Sequence, residues 1–163
     1  MDETAELAEL YDASYRRLVV QLYAVCGDLA DAEDAVQEAF VTAIRKGRGL
    51  RGVANPEAWI RTAALNRLRH SWRHSSVVRR YQPRVPGPQA PVEAGPDRVT
   101  IVTALAQVER DQREVVVLHY LADLGIAEIA AELGVPEGTV KSRLARARSR
   151  LAPLLDEKED RHV

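Results

Sequence analysis

The positive charge of this chain is concentrated in two segments. Residues 141–150 contain five basic residues and no acidic one, and residues 41–84 contain eleven basic residues and one acidic residue. The net charge of the whole chain is nevertheless −1, because residues 1–40 and 85–140 are acidic. Clustered basic side chains repel one another unless a polyanion neutralises them. The two segments therefore indicate two separate contacts with a polyanion, with solvated helix faces as the alternative.

The C-terminal basic segment ends a helix-turn-helix pattern, IAEIAAELGVPEGTVKSRLARARSRL (126–151). A short apolar helix over 126–133 is followed by a turn at Gly134 and Pro136, and then by a helix from Thr139 to about Leu155. Such a second helix places its N-terminal half in the DNA major groove, where Arg and Lys reach base edges and phosphates. A helical hairpin with a solvated face is the alternative. The outward side chains of this helix are Thr139, Lys141, Ser142, Arg143, Arg146 and Arg150.

Acidic and amide side chains recur on one face of a predicted helix over 29–44, at Asp31, Asp34, Gln37 and Glu38. Carboxylates can bind a hard cation, but such a site needs ligands from several elements, and one helix face does not supply them. The sequence also has no His–Cys–carboxylate constellation and no phosphate-binding glycine loop. We therefore expect no enzyme, no catalytic residue, no metal and no cofactor. A contact with a basic partner, or helix capping and solubility, explains this face.

Helical periodicity runs through the chain, and only 5% of the residues are aromatic, so the fold class is predicted to be all-α. Asp28 or Asp31 could cap the helix over 29–44, and Asn55 with Pro56 forms a helix start. Prolines and glycines interrupt the pattern in PRVPGPQAPVEAGP. We predict two small helical domains, a flexible linker and a tail, with the bounds 1–76, 77–97, 98–156 and 157–163.

The remaining composition indicates an ordinary cytoplasmic protein. A single cysteine, Cys26, can form no internal disulfide, and no apolar run reaches membrane-spanning length. The acidic N-terminus does not resemble a signal peptide. No obvious dimerisation helix is present, so we expect the free chain to be a monomer that does not insert into membranes.

Three motifs resemble one protein family. The stretch from Asp111 to Leu151 resembles region 4 of bacterial RNA polymerase sigma factors, and GTVKSRLARAR is specific to the extracytoplasmic-function (ECF) group of the sigma-70 family. DAEDAVQEAF (31–40) is similar to region 2.2, and NPEAWIRTAALNRLRH (55–70) is similar to regions 2.3 and 2.4. The resemblance covers nearly the whole chain and implies a transcription initiation factor that directs core RNA polymerase to promoters.

The resemblance also implies partners for each domain. The N-terminal domain would bind the clamp helices of the polymerase β′ subunit through Asp31, Asp34, Gln37 and Glu38, and would melt the −10 element. The C-terminal domain would read the −35 element and rest on the β flap. An anti-sigma factor would control the protein. A helix-turn-helix regulator that acts without polymerase is the alternative, but it leaves residues 31–73 without a role.

The resemblance places Asn66 at the position of a pocket residue that binds a base flipped out of the −10 strand. The surrounding arginines, including Arg61, would hold phosphates. His70 departs from the family, where an Asp is common. The predicted contacts with the −10 element are Arg51, Asn66, Arg67, Arg69, His70 and Arg73.

For the −35 element, the resemblance marks His119 and several residues of the second helix of the helix-turn-helix, which is called the recognition helix. His119 falls where the family often has a phosphate-binding Arg. Arg143 is expected to contact a phosphate or to pair with Glu137. The predicted contacts are His119, Thr139, Lys141, Ser142, Arg143 and Arg146.

Overall fold

The computed structural model describes residues 2–46, 50–78 and 96–159. Within these ranges the chain forms seven α-helices and no strand, which confirms the predicted all-α fold class. The chain divides into two units, Met1–Ala90 and Pro91–Val163. At the ends of the predicted linker, residues 77–78 and 96–97 are helical, and the rest of it lies outside the described residues, as do residues 160–163 of the predicted tail.

The first unit contains three helices, α1 (Glu3–Cys26), α2 (Leu29–Arg45) and α3 (Pro56–Val78). Polar side chains cap their first turns, because the first N–H groups of a helix have no partner within it. Asp28 Oδ1 accepts a hydrogen bond from the Asp31 backbone N–H at 3.0 Å, and Asn55 Oδ1 accepts one from Ala58 at 3.1 Å. Asp28 is thus the cap of α2, and the predicted role of Asn55 is confirmed.

The core of this unit lies where α2 packs against both α1 and α3. Leu18 and Leu22 of α1, Val36 of α2 and Ile60 of α3 are all buried. Burying an aliphatic side chain of this size contributes about 1.5–3 kcal/mol. The helical pattern leaves Ala43 or Ile44 as the last inward residue of α2. Ala43 is buried and 61% of Ile44 is exposed, so the buried face of α2 ends at Ala43.

The second unit contains four helices, α4 (Pro96–Leu105), α5 (Arg110–Tyr120), α6 (Ile126–Leu133) and α7 (Glu137–Glu159). α7 packs against α4, α5 and α6. The sequence predicts a buried apolar run from Val115 to Leu121. Val115 to Leu118 are buried, whereas 52% of Tyr120 and 41% of Leu121 are exposed, so the prediction is right only for the first part of the run. The bounds of α6 agree with the prediction, whereas α7 begins two residues before the predicted start at Thr139.

The turn between α6 and α7 depends on Gly134, which has φ = 68°. Its backbone N–H and that of Val135 both donate to the carbonyl of Ala130, so the turn satisfies the end of α6. Pro136 then precedes the first turn of α7, whose Thr139 N–H donates to the Pro136 carbonyl. A left-handed residue at this point is the usual way to end a helix and turn the chain.

We expect Gly134→Ala to destabilise the α6–α7 pair by about 1 kcal/mol, because a Cβ is disfavoured in the left-handed region. Nothing lies within 4 Å of a Cβ placed there, so the effect would come from the backbone alone. Gly138→Ala is the matched control, since Gly138 lies inside α7 with open space around it. Hydrogen exchange of α6 and α7 amides should show faster exchange for Gly134→Ala and equal or slower exchange for Gly138→Ala. Two variants with the same shift would contradict this account.

No helix in the described part of the chain is long and apolar enough to cross a lipid bilayer.

Candidate protein- and nucleic-acid-binding surfaces

The face of α2 opposite the core carries the predicted acidic surface. Asp34, Gln37 and Glu38 are exposed, and Asp31 is half-buried near the start of the helix. Asp34 and Glu38 are four residues apart, so two like charges lie side by side and repel each other slightly. Neither forms an ion pair with another described residue. An acidic pair of this kind is stabilised by a basic partner.

Gln37 connects this acidic face with an aromatic cluster on α1. Its Nε2 donates to the Tyr15 hydroxyl at 3.2 Å. Tyr15 stacks on Tyr11 with ring centroids 4.6 Å apart, and Tyr11 contacts Phe40 at 5.1 Å. Burial raises the pKa of the Tyr15 hydroxyl, and the hydrogen bond from Gln37 partly offsets this. Sequence analysis placed Tyr11 in the core stripe of α1, but 37% of it is exposed.

The carboxylates of α2 do not assemble a metal site with other described residues. No group of three or more His, Cys, Asp or Glu side chains in those ranges is arranged to hold a metal ion. Asp31 lies in the first turn of α2, where its backbone N–H donates to the capping Oδ1 of Asp28.

The exposed face of α3 carries most of the predicted −10 contacts. Asn66, Arg67, His70 and Arg73 are exposed, and Arg69 is half-buried. Arg69 Nη1 donates to Asn66 Oδ1 at 3.0 Å, across one turn of the helix. This bond uses one of the two lone pairs of the Asn66 amide oxygen and orients the amide, whose NH₂ group can donate to another partner. A base with an acceptor on its edge would match that group.

Arg51 belongs to the turn that precedes α3 rather than to its basic face. It is exposed, and its Nε lies 3.8 Å from Glu3 Oε1 on α1. This long, exposed ion pair contributes little to stability.

Arg61 was expected to hold a phosphate near Asn66, and this expectation is wrong. Only 4% of Arg61 is exposed, and its Nη1 donates to Gln21 Oε1 of α1 at 3.4 Å. Gln21 is itself buried, with 2% exposed. The helical spacing of Arg61 places it on the core side of α3, so its charge stabilises the α1–α3 interface and is not available to DNA.

We expect Arg61→Ala to lower the free energy of unfolding of the first unit by about 2–4 kcal/mol, because it leaves a cavity and removes a partner of buried Gln21. Arg67→Ala, on the exposed face of the same helix, should change it by less than about 0.5 kcal/mol. Urea unfolding followed by circular dichroism measures both. If the two variants were equally stable, Arg61 would have no structural role.

The recognition helix α7 presents one polar surface to solvent. Lys141, Ser142 and Arg146 are exposed, whereas Thr139 and Arg143 are half-buried. The Ser142 hydroxyl donates to the Thr139 carbonyl at 3.1 Å. Arg146 also lines an open groove of about 540 Å³ between α7 and the start of α5. The other lining residues are Gln107, Glu109, Gln112, Ser149 and Arg150.

Two of the predicted −35 residues make contacts within the protein. Arg143 Nε lies 3.5 Å from Asp111 Oδ2, so its partner is an acid of α5 and not Glu137 as expected. His119 Nδ1 lies 2.9 Å from the Leu124 carbonyl, a distance at which the protonated nitrogen donates to it. His119 therefore helps to hold the turn before α6 through Nδ1, and the predicted phosphate contact of this residue stays a prediction.

Sequence comparisons identify both units. Residues 10–77 match the family described as Sigma-70 region 2, and residues 98–151 match Sigma-70, region 4. The ECF RNA polymerase sigma factor SigL of Mycobacterium tuberculosis is 38% identical over 149 residues, which cover 87% of this chain and 84% of SigL. SigM of the same organism is 38% identical over 129 residues, which cover 77% of this chain and 64% of SigM.

A solved structure supports the same assignment. The sigma factor RpoE of Bartonella quintana, crystallised in complex with the anti-sigma factor NepR, gives a TM-score of 0.79 at 25% identity. The similarity covers 93% of this chain and 97% of RpoE. Sigma factors are transcription initiation factors and not enzymes, in agreement with the expectation from the sequence. The chain belongs to the extracytoplasmic-function group of the sigma-70 family of RNA polymerase sigma factors.

Proposed function

We propose that this sigma factor binds core RNA polymerase through α2 and promoter DNA through α3 and α7. The observation that carries the proposal is the separation of charge on the described surface. Asp34 and Glu38 form an exposed acidic pair on α2, whereas exposed basic residues lie on α3 and on α7. A surface with two signs of charge suits two kinds of partner, a basic protein surface and a polyanion.

The partner of the acidic face would be the β′ clamp helices of the polymerase. Asp31, Asp34, Gln37 and Glu38 would contact them, with the two exposed acids steering the encounter. The hydrogen bond between Gln37 and Tyr15 supports this assignment, because it fixes a polar side chain in the middle of the acidic face.

The −10 element would be melted by the first domain, residues 1–76. Asn66 would bind a flipped base, and Arg51, Arg67, Arg69, His70 and Arg73 would hold the opened strand. The bond from Arg69 to Asn66 supports this role, because a base-reading amide must be held in one orientation.

The −35 element would be read by the second domain, residues 98–156, which would also rest on the β flap. Lys141, Ser142 and Arg146 would enter the major groove, with Thr139 and Arg143 at its edge. Arg143 shares its charge with Asp111, and His119 holds a turn, so these two would contribute less than Arg146. Residues 77–97 would connect the domains.

An anti-sigma factor would control this protein by covering the polymerase- and DNA-binding surfaces. The support is the relative RpoE, whose structure contains the anti-sigma factor NepR. Without such a partner, we expect the free protein to be a cytoplasmic monomer.

Run-off transcription tests the proposal. The template would be the DNA upstream of the gene for this protein, with bacterial core polymerase and the purified chain. A discrete transcript that requires both proteins would support promoter-directed initiation. Absence of a transcript, together with absence of binding to core polymerase in a pull-down, would instead favour a regulator that acts without polymerase.

A further inference from the structure

Arg148 is an exposed basic residue of α7 that belongs to none of the predicted contact groups. Its Nε donates to the hydroxyl of Tyr120 at 2.7 Å, and its Cζ lies 5.6 Å from the centroid of the same ring. Tyr120 is the last residue of α5, and 52% of it is exposed. The arginine of one helix is thus held at the surface by an aromatic residue of another.

The contact with Tyr120 orients Arg148 without neutralising it. A phenol is uncharged at neutral pH, so the guanidinium keeps its full positive charge. Arg143 differs, because Asp111 lies 3.5 Å from it and offsets its charge. Within the described ranges no carboxylate forms an ion pair with Arg148. The bond to Tyr120 uses Nε, and the two terminal nitrogens of Arg148 are the ones that can donate to an anion as a pair.

The position of Arg148 extends the basic surface of the recognition helix. Lys141 and Arg148 are seven residues apart, which is two helical turns and about 10 Å along the axis, so they lie on the same side of α7. Ala145 lies between them and is exposed, and its small side chain leaves this side open. A duplex whose major groove receives the N-terminal half of α7 has its phosphate backbones along the flanks of that helix.

We propose that Arg148, positioned by Tyr120, is a phosphate contact on the flank of the recognition helix. This inference rests on the proposed function, in which α7 binds duplex DNA. Phosphate contacts carry no sequence information but fix the register of a helix in the groove. A guanidinium that is already oriented loses less side-chain entropy when it binds, so Tyr120 strengthens the contact without touching the DNA.

The number of phosphate contacts is measured by the salt dependence of binding. The full chain would be titrated with a fluorescent non-specific duplex of about 25 base pairs over a series of low salt concentrations. Each phosphate contact adds about 0.9 to the steepness of log Kobs against log salt. Arg148→Gln should therefore reduce the slope by about 1 and weaken binding about five- to tenfold at 0.1 M salt.

Three variants separate this role from a purely structural one. Arg148→Lys keeps the charge, so it should retain the slope of the wild-type protein. Tyr120→Phe keeps the charge and the ring but removes the hydroxyl, so we expect an unchanged slope with binding weakened about two- to threefold. Arg16→Gln makes the same charge change at an exposed site on α1 and should leave the slope unchanged.

The outcomes distinguish the inference from the function on which it rests. A wild-type slope for Arg148→Gln, with a lower melting temperature, would show that Arg148 only joins α7 to α5 and would overturn the inference while leaving DNA binding intact. A lack of salt-dependent binding by the wild-type chain would show that α7 makes no duplex contact in the free protein and would overturn this inference, whereas the run-off assay with core polymerase would decide the proposed function separately. A slope reduced only in Arg148→Gln is the expected result.

Discussion

Glu38→Lys should weaken the binding of this sigma factor to core RNA polymerase about 10- to 100-fold while leaving its fold intact. Glu38 is exposed on the acidic face of α2 and forms no ion pair with another described residue. Reversing its charge converts an attraction to a basic partner into a repulsion. The expected loss of binding free energy is about 1.4–2.8 kcal/mol, since each factor of ten in affinity corresponds to about 1.4 kcal/mol. Competition with a fluorescent wild-type sigma factor for a limiting amount of core polymerase measures the change.

The matched control for this experiment is Glu9→Lys, which makes the same charge change at an exposed position of α1. Glu9 lines a groove with Leu50 and Pro56 and does not belong to the acidic face of α2. It should bind core polymerase nearly as the wild-type protein does. The effect of Glu38→Lys should also become smaller at high salt, because screening weakens interactions between exposed charges. Equal affinities of the two variants would rule out the clamp assignment.

Arg146→Ala should reduce initiation at promoters that depend on a −35 element about 10- to 100-fold. The expected loss is about 1–3 kcal/mol, the usual value of a bidentate contact between an arginine and a base. Arg146 is the predicted contact best suited to this role, because it is exposed and, unlike Arg143, forms no ion pair with another described residue. The measurement is the yield of abortive or run-off transcripts over a series of template concentrations that runs from below saturation to saturation.

Two comparisons make the Arg146 result specific. A template with a scrambled −35 element should show similar activity with the wild-type and the Arg146→Ala proteins. Arg16→Ala, at an exposed site on α1, should behave as the wild-type protein on both templates. If Arg146→Ala lost activity equally on both templates, a defect in folding or in polymerase binding would explain the loss, and the −35 role would be removed.

Two arginines of α3 with the same expected role have different environments in the fold, and only one of them meets the expectation. Arg61 and Arg67 are both basic residues of α3, and the sequence assigned them the same role. In the fold, Arg61 is buried against Gln21, which lies 40 residues earlier, whereas Arg67 is exposed. The buried face of α3 contains Ile60, Ala64, Leu65 and Leu68, and Arg61 lies at its edge, four residues before Leu65. One side chain at the edge of the stripe can therefore face either way.

The sequence by itself determined the helices, their caps and the two basic segments of this protein. Periodicity, the cap at Asn55 and the turn at Gly134 act within a few residues of each other, so the local sequence contains them, although it left the cap of α2 open between Asp28 and Asp31. The family assignment follows from the same local motifs. Only the tertiary structure decided which charges are available to a partner. Arg143 meets Asp111, and Arg148 meets Tyr120, across 32 and 28 residues of chain, respectively. Those pairings depend on how α7 crosses α5, because the packing of two helices brings together side chains that no sequence spacing relates.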